Sequence, residues 1–282
     1  MMKVSDFMHN LAGLGVALAK VLLQSRRPGY MRDAGAGRQL YILANGPSLA
    51  DVVNRHSDFL SKADTLCVNF MANTPQMFAI RPCHYVLADP HFFRQPFHEN
   101  VSRLWDNIRR VDWPMTLHVP HAHKRVVTDL LAGNTCVSVS TFNLVGIDTF
   151  AVAEDFLFDR QLAMPRPRNV LIPSIMLGLW AGYKTIWLAG ADHSWLRTIG
   201  VDDDNCVISI QPHFYQDPES EKTRSRAEYR GFRLHDILLS FYIAFRSYHS
   251  IARWARHCGA EVINITPGSF IDAFRRAAFP AE

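Results

Sequence analysis

The sequence predicts a doubly wound α/β domain, a mostly parallel Rossmann-like sheet with helices on both faces, and three observations predict it. Short β-prone apolar runs alternate with stretches of helical periodicity along most of the chain. The runs end on small polar residues, which in an open parallel sheet lie at the edge where ligands bind. No internal repeat or low-complexity tract interrupts the alternation.

The composition narrows the function classes. With 282 residues, 48% hydrophobic and 20% charged, the chain can form one large domain or a domain with an appendage. The five cysteines, Cys67, Cys83, Cys136, Cys206 and Cys258, are scattered, odd in number and without CxxC spacing, which argues against a disulfide framework and a zinc site and fits a reducing cytoplasm. A net charge of +4 favours anionic ligands or an anionic membrane face. It is too small to indicate nucleic acid, and there is no basic stripe or RNA-binding aromatic signature.

Residues 1–38 are expected to form an amphipathic helix and linker. Val4, Phe7, Met8, Leu11, Leu14, Leu18, Val21 and Leu22 recur at helical spacing and are followed by Arg26 and Arg27. The apolar stretch is short for a bilayer span and contains Lys20. Three fates stay open: attachment to an anionic membrane surface, packing on the domain or a partner, or a signal peptide ending near Ala17-Leu18-Ala19. The first would make the protein cytoplasmic and peripheral on the inner membrane. Gly35 and Gly37 read as a hinge before the catalytic domain, 39–282.

Leu40 to Leu43 form the first strand, and Ala44, Asn45, Gly46, Pro47 and Ser48 form a turn into a helix. Gly46 permits close approach of a ligand to the backbone, Pro47 suits a first helical turn, and Ser48 can cap. Free amides at the helix start attract an anion. Residues 64–69 read as the second strand, ending in Asn69, and 84–88 as the third, ending in Asp89-Pro90. A helical, aromatic-rich stretch (91–110), a strand (115–119) and a helix start (121–129) follow. Residues 133–168 read as a loop-rich insertion or lid, ending in Arg166 and Arg168 between prolines. A helix over 170–181 leads to the buried strand 185–189, which delivers Gly190, Ala191, Asp192 and His193 to the same edge. Residues 194–233, with Asp202-Asp203-Asp204, read as a mobile, lid-like excursion. A long helix from about 235 to 257, a last strand at 262–265 and a short closing helix complete the chain.

Taken in order, Asn45-Gly46-Pro47-Ser48, Asn69, Asp89-Pro90 with Phe92-Phe93, Gly182-Tyr183-Lys184 leading to Gly190-Ala191-Asp192, and Pro267-Gly268-Ser269 resemble the bacterial sialyltransferases that decorate lipooligosaccharide. They are also similar to the Rossmann-like family typified by the archaeal 6-hydroxymethylpterin diphosphokinase. The sialyltransferase resemblance implies transfer of sialic acid or a related sugar from a nucleotide-activated donor to a surface glycan, as in lipopolysaccharide biosynthesis. It casts Asn45, Gly46, Pro47, Ser48, Asn69, Asp89, Gly190 and Asp192 as nucleotide contacts. The chain departs from that pattern at Asp89, where the family has asparagine, and at His193, Ser194 and Trp195, which stand where the family has tyrosines.

Glycosyl transfer needs a base for the acceptor hydroxyl and cations for the departing phosphate. Candidate bases are His235, His213 and His193, with Tyr242 at the family's histidine spacing. Arg166 and Arg168, or Lys222 and Arg224, could grip the phosphate. The transferase requires no cofactor, and its partners would be a nucleotide-sugar donor and a glycan or lipid-linked acceptor. The diphosphokinase alternative needs ATP and magnesium, with Asp89 and Asp192 as metal ligands. No GxxxxGK[ST] or GxGxxG motif is present, which disfavours a P-loop kinase and a dehydrogenase. A non-catalytic nucleotide-binding subunit of a polysaccharide assembly complex is the third reading, and oligomerisation is left open.

Overall fold

The computed structural model describes residues 4–27, 35–209 and 231–280. Its strands, in chain order, are β1 (Gln39–Leu43), β2 (Asp64–Val68), β3 (His84–Val86), β4 (Met115–Pro120), β5 (Val137–Phe142), β6 (Gly146–Ile147), β7 (Met164–Pro165), β8 (Thr185–Ala189), β9 (Ile199–Val201), β10 (Val207–Ser209), β11 (Glu261–Asn264) and β12 (Arg275–Arg276). Eight of them form one parallel sheet in the order β12-β11-β8-β1-β2-β3-β4-β5. The helices are α1 (Val4–Gln24), α2 (Leu49–Leu60), α3 (Pro75–Ile80), α4 (Glu99–Arg109), α5 (Lys124–Leu130), α6 (Ala151–Asp159), α7 (Leu171–Trp180) and α8 (Leu234–His257).

Because helices cover both faces, the inner strands are near-continuous apolar runs, and their two-residue period divides them between two cores. Leu40 and Ile42 of β1 pack with α7 and α8 residues such as Ile175, Met176, Tyr248 and Trp254. Tyr41 and Leu43 pack on the other face with Leu49 and Val53 of α2 and Trp105 of α4. From β1 the chain runs outward to β5, then returns to the opposite side of β1 as β8 and β11. Strand order therefore reverses between β1 and β8, the place where such sheets open a crevice.

Several expectations are corrected. Residues 133–168 are no lid: β5 extends the main sheet, β6 and β7 pair with each other, and Leu157 and Phe158 of α6 enter the core. The Val-Ser-Val-Ser alternation of β5 gives a weak pattern because an edge strand buries so little. The first part of the expected excursion is also ordered, as the antiparallel β9–β10 hairpin, whose turn is closed by Asp202 accepting from the amides of Asp204 at 3.1 Å and Cys206 at 2.8 Å. The chain closes on β12, not on a helix. At the expected hinge the Gly35 amide donates to Ala181 O at 2.7 Å, and an added Cβ there would strike the Tyr183 ring.

Helix α1 packs on the domain through its small and polar side. Thr149 donates to Asn10 O at 2.8 Å, Lys20 to Gly146 O at 3.2 Å, and Ala17 joins the core. Asn143 fixes the helix exit by exchanging two hydrogen bonds of 2.8 Å with the Arg26 backbone.

Candidate functional site

Leu43 lies opposite Ala189 on one side and Cys67 on the other, so the loops after β1, β8 and β2 leave the sheet side by side. The first two are stitched together. The Gly46 amide donates to Gly190 O at 2.9 Å, and Ala44 donates to Ala189 O at 2.8 Å. A Cβ on Gly46 would collide with the Asp192 carboxylate and come within 2.5 Å of Gly190 O. Gly190 has φ +68°, and a Cβ there would strike Ala44 O and lie 2.8 Å from Leu49 Cβ. The smallness of both glycines thus serves loop-on-loop packing. A Gly46→Val change would therefore disrupt the fold itself.

Ser48 does not cap α2. Its hydroxyl donates to Asp192 Oδ2 at 2.8 Å, and its amide lies 3.4 Å from Asp192 Oδ1, so the anion at this helix start is the chain's own carboxylate. Burial raises the Asp192 pKa despite these hydrogen bonds. Pro47 is exposed at the tip of the turn. The Pro267-Gly268-Ser269 turn braces the opposite loop. Thr266 Oγ1 accepts from the Ala191 amide at 2.9 Å, Ser269 donates to Ala191 O at 2.6 Å, and Phe270 donates to Asp192 O at 2.9 Å.

Asn45 donates to Val68 O at 3.1 Å and so ties the first loop to the end of β2. Next to it, Asn69 has φ +49°, and its side-chain oxygen is buried without a hydrogen-bond partner. Asp89 is engaged otherwise. It accepts from the His91 amide at 2.9 Å and pairs with the His91 ring at 3.0 Å, and the His91 hydrogen bonds hold its carboxyl below the usual range. Asp89 follows β3, three strands from β8, and its carboxylate is turned to His91 while that of Asp192 is turned to Ser48. No group of three metal-ligating side chains occurs among the described residues.

Arg166 and Arg168 lie on the connection from β7 to α7. Ser247 of α8 fixes it by donating to Arg166 O at 3.0 Å. Neither arginine has an ion-pair partner among the described residues. The Arg168 pKa is lowered by burial and by the charge of Arg166. Two neighbouring guanidiniums without a carboxylate are suited to an anion.

The candidate bases are dispersed. His213, Lys222 and Arg224 lie outside the described residues. His235 is 80% exposed, 3.3 Å from Asp236 Oδ1, and Tyr242 is exposed beside Arg246. The α-helical rise puts His235 about 20 Å along α8 from Tyr248, the residue that reaches the sheet edge. His193 is the histidine that joins the cluster. It has φ +49°, its Nε2 is 2.6 Å from the Tyr248 hydroxyl, and that hydroxyl is 3.0 Å from Asn169 Oδ1. Burial lowers the His193 pKa to about 3. Sequence reasoning misses Tyr248 and Asn169 as a pair. Tyr248 falls on the apolar stripe of α8 and reads as core; its hydroxyl, which needs a partner when buried, is the available signal. Arg197, stacked 4.8 Å over the Phe270 ring, is a further cation at this edge.

No family model and no curated protein matches this chain. Among solved structures, the MAf glycosyltransferase from Magnetospirillum magneticum AMB-1 aligns with it at a TM-score of 0.52 and 11% identity, over 95% of this chain and 38% of that one. This chain shares its fold with a glycosyltransferase. At that identity the likeness is one of architecture, and the chain spans well under half the length of that protein.

Proposed function

We propose that this chain is a glycosyltransferase that moves a sugar from a nucleotide-activated donor to a glycan or lipid-linked acceptor. The observation that carries the reading is the meeting of the 45–48 and 190–193 loops where strand order reverses. In this reading Asn45, Asn69 and the backbone around Gly46 and Gly190 hold the nucleoside. Asp192 accepts from a hydroxyl and repels phosphate, which Arg166 and Arg168 take up instead. The resemblance to lipooligosaccharide sialyltransferases makes CMP the first nucleotide to try and sialic acid or a relative the first sugar.

The same reading sets the chain on an anionic membrane surface. Met8, Leu11, Val16, Leu18, Leu22 and Leu23 of α1 face outward, and exposed Arg26 and Arg27 follow. Such a helix lies in the headgroup boundary. No helix among the described residues is long and apolar enough to cross a membrane.

A thermal-shift panel of CMP, UDP, GDP and ATP, each with and without magnesium, tests the donor site, since a ligand bound by the native state raises its stability. Stabilisation by CMP without metal is the expected result. Stabilisation by ATP only with magnesium would point to a diphosphokinase, and no response to any nucleotide would leave a non-catalytic subunit.

A further inference from the structure

We infer that His193 is the base that receives the proton of the acceptor hydroxyl, through Nδ1, and that Tyr248 and Asn169 are positioning residues that fix its tautomer. The inference rests on the glycosyltransferase reading for the identity of the hydroxyl; the tautomer does not depend on it.

The proton positions follow from one backbone amide. Leu171 N–H can only donate, and the Asn169 side-chain atom it meets at 3.0 Å must therefore be the amide oxygen, Oδ1, and not the nitrogen. An amide oxygen only accepts, so the Tyr248 hydroxyl, 3.0 Å away, spends its single proton there. At its 2.6 Å contact with His193 Nε2 the hydroxyl must therefore accept, and His193 carries its proton on Nε2. Nδ1 is left with a bare lone pair. No described residue bonds Nδ1, and His193 is partly exposed.

The surroundings hold this state in place. The ring is flanked by Trp195, Phe245 and Tyr248, which carry no charge. Tyr248 is fully buried, and Asn169 is tied to the start of α7, so neither partner is free to turn away. The left-handed backbone of His193 is a conformation that a non-glycine residue keeps where the surroundings enforce it. Asp192, the adjacent residue, is locked to Ser48, which places the imidazole beside the junction of the two donor-site loops.

In the transfer step the acceptor oxygen forms a bond to the anomeric carbon while the bond from that carbon to the donor phosphate oxygen breaks, and the bonding pair leaves with the phosphate. The hydroxyl proton passes to His193 Nδ1. The resulting imidazolium, which burial disfavours, keeps its Nε2–H on Tyr248 and gives up the added proton to water at once. Positioning of a base by a second group, which in turn is held by a third, is a recurring arrangement for such proton transfers.

The tautomer can be read without a ligand, from nitrogen NMR of the full chain carrying 15N-histidine at pH 7, with His193 assigned through a His193→Gln variant. The expected wild-type spectrum shows His193 protonated on Nε2 and bare on Nδ1, and Tyr248→Phe is expected to mix the two tautomers. A His193 protonated on Nδ1 in the wild type, or an unchanged tautomer in Tyr248→Phe, would overturn the inference. The wild-type spectrum decides the matter even if Tyr248→Phe fails to fold. With the nucleotide that stabilises the protein most, offered as its sugar conjugate, His193→Gln should lose ~10²–10⁴-fold in turnover and keep nucleotide affinity. Turnover within threefold of wild type would reject His193 as the base. Failure of every nucleotide to bind would sink the transferase reading and leave the tautomer result standing.

Discussion

Ser48 and Asp192 meet across the reversal of strand order, with the serine hydroxyl donating to Asp192 Oδ2 at 2.8 Å. The contact joins the first half of the sheet, which runs from β1 outward to β5, to the second half, which returns through β8 and β11. It also fills the start of α2 with a carboxylate of the protein itself. The seam is therefore a structural joint, and the smallness of Gly46 and Gly190 serves it.

Substitutions at the seam separate steric from conformational demands. Gly190 and Gly268 both have positive φ, but a Cβ on Gly190 would strike Ala44 O and crowd Leu49, whereas one on Gly268 would meet open space. Gly268→Ala should cost only the left-handed penalty of roughly 1–2 kcal/mol. Gly190→Ala should cost that and a further ~1–3 kcal/mol of overpacking. Urea unfolding of the two variants checks this, and equal losses would contradict the packing account.

Acid should weaken the fold through its buried imidazoles. Tyr183 donates to Asp64 Oδ2 at 2.8 Å and lies 3.2 Å from His84 Nε2, and His84 Nδ1 is 3.2 Å from His118 Nε2. Burial lowers the His84 pKa to about 4, with Asp64 opposing and Arg38 adding to the shift, and drives that of His118 well below the ordinary value. In the unfolded chain both titrate near ~6.5, so between that pH and ~4 the unfolded state binds more protons and stability falls as pH falls. Above pH ~7 the effect is absent. His84 alone should account for about 2 kcal/mol at pH 5. The urea midpoint should drop between pH 7.5 and pH 5, less steeply in His118→Leu, and a midpoint that does not move would exclude the effect.

The sheet edge is legible in the sequence because each inner strand is a compact apolar run that stops at a polar turn. Asn45, Gly46, Ser48, Asn69, Gly190 and Asp192 stand out that way, and the topology places their loops side by side. What cannot be read is the partner of each group. Nothing local says that Ser48 serves Asp192 instead of capping its helix. Tyr248 and Asn169 are 79 residues apart and meet only once α8 has crossed α7. The strands β5, β6, β7 and β12 escape a sequence reading because edge and two-residue strands carry little hydrophobic pattern.

Membrane attachment predicts a face-specific effect. Leu11, Leu18 and Leu22 are exposed on one stripe of α1, opposite Ala17 and the polar groups that hold the helix to the domain. A Leu11→Ser, Leu18→Ser and Leu22→Ser triple variant should keep its unfolding midpoint and lose at least ~10-fold in affinity for vesicles containing phosphatidylglycerol. Binding by the wild type should weaken as salt rises. Flotation unchanged by the triple substitution would show that this face serves something other than lipid.

The arginine connection carries the last prediction. A donor phosphate approaching the start of α2 meets the Asp192 carboxylate, so its charge has to be balanced elsewhere, and Arg166 and Arg168 stand close together without an ion-pair partner among the described residues. Because no carboxylate would be stranded by their removal, Arg166→Ala and Arg168→Ala should leave the unfolding midpoint of the free protein nearly unchanged. Each should weaken the best-binding nucleotide ~10-fold, and the double variant more, since charge-assisted contacts to phosphate contribute roughly 1.5–3 kcal/mol apiece. Arg168→Lys should recover only part of the loss, because an ammonium cannot form the two-pronged contact of a guanidinium. Isothermal titration measures all four variants. If affinity survives in the double variant and rises in Asp192→Asn, the phosphate binds at the start of α2 after all, and the arginines serve another anion.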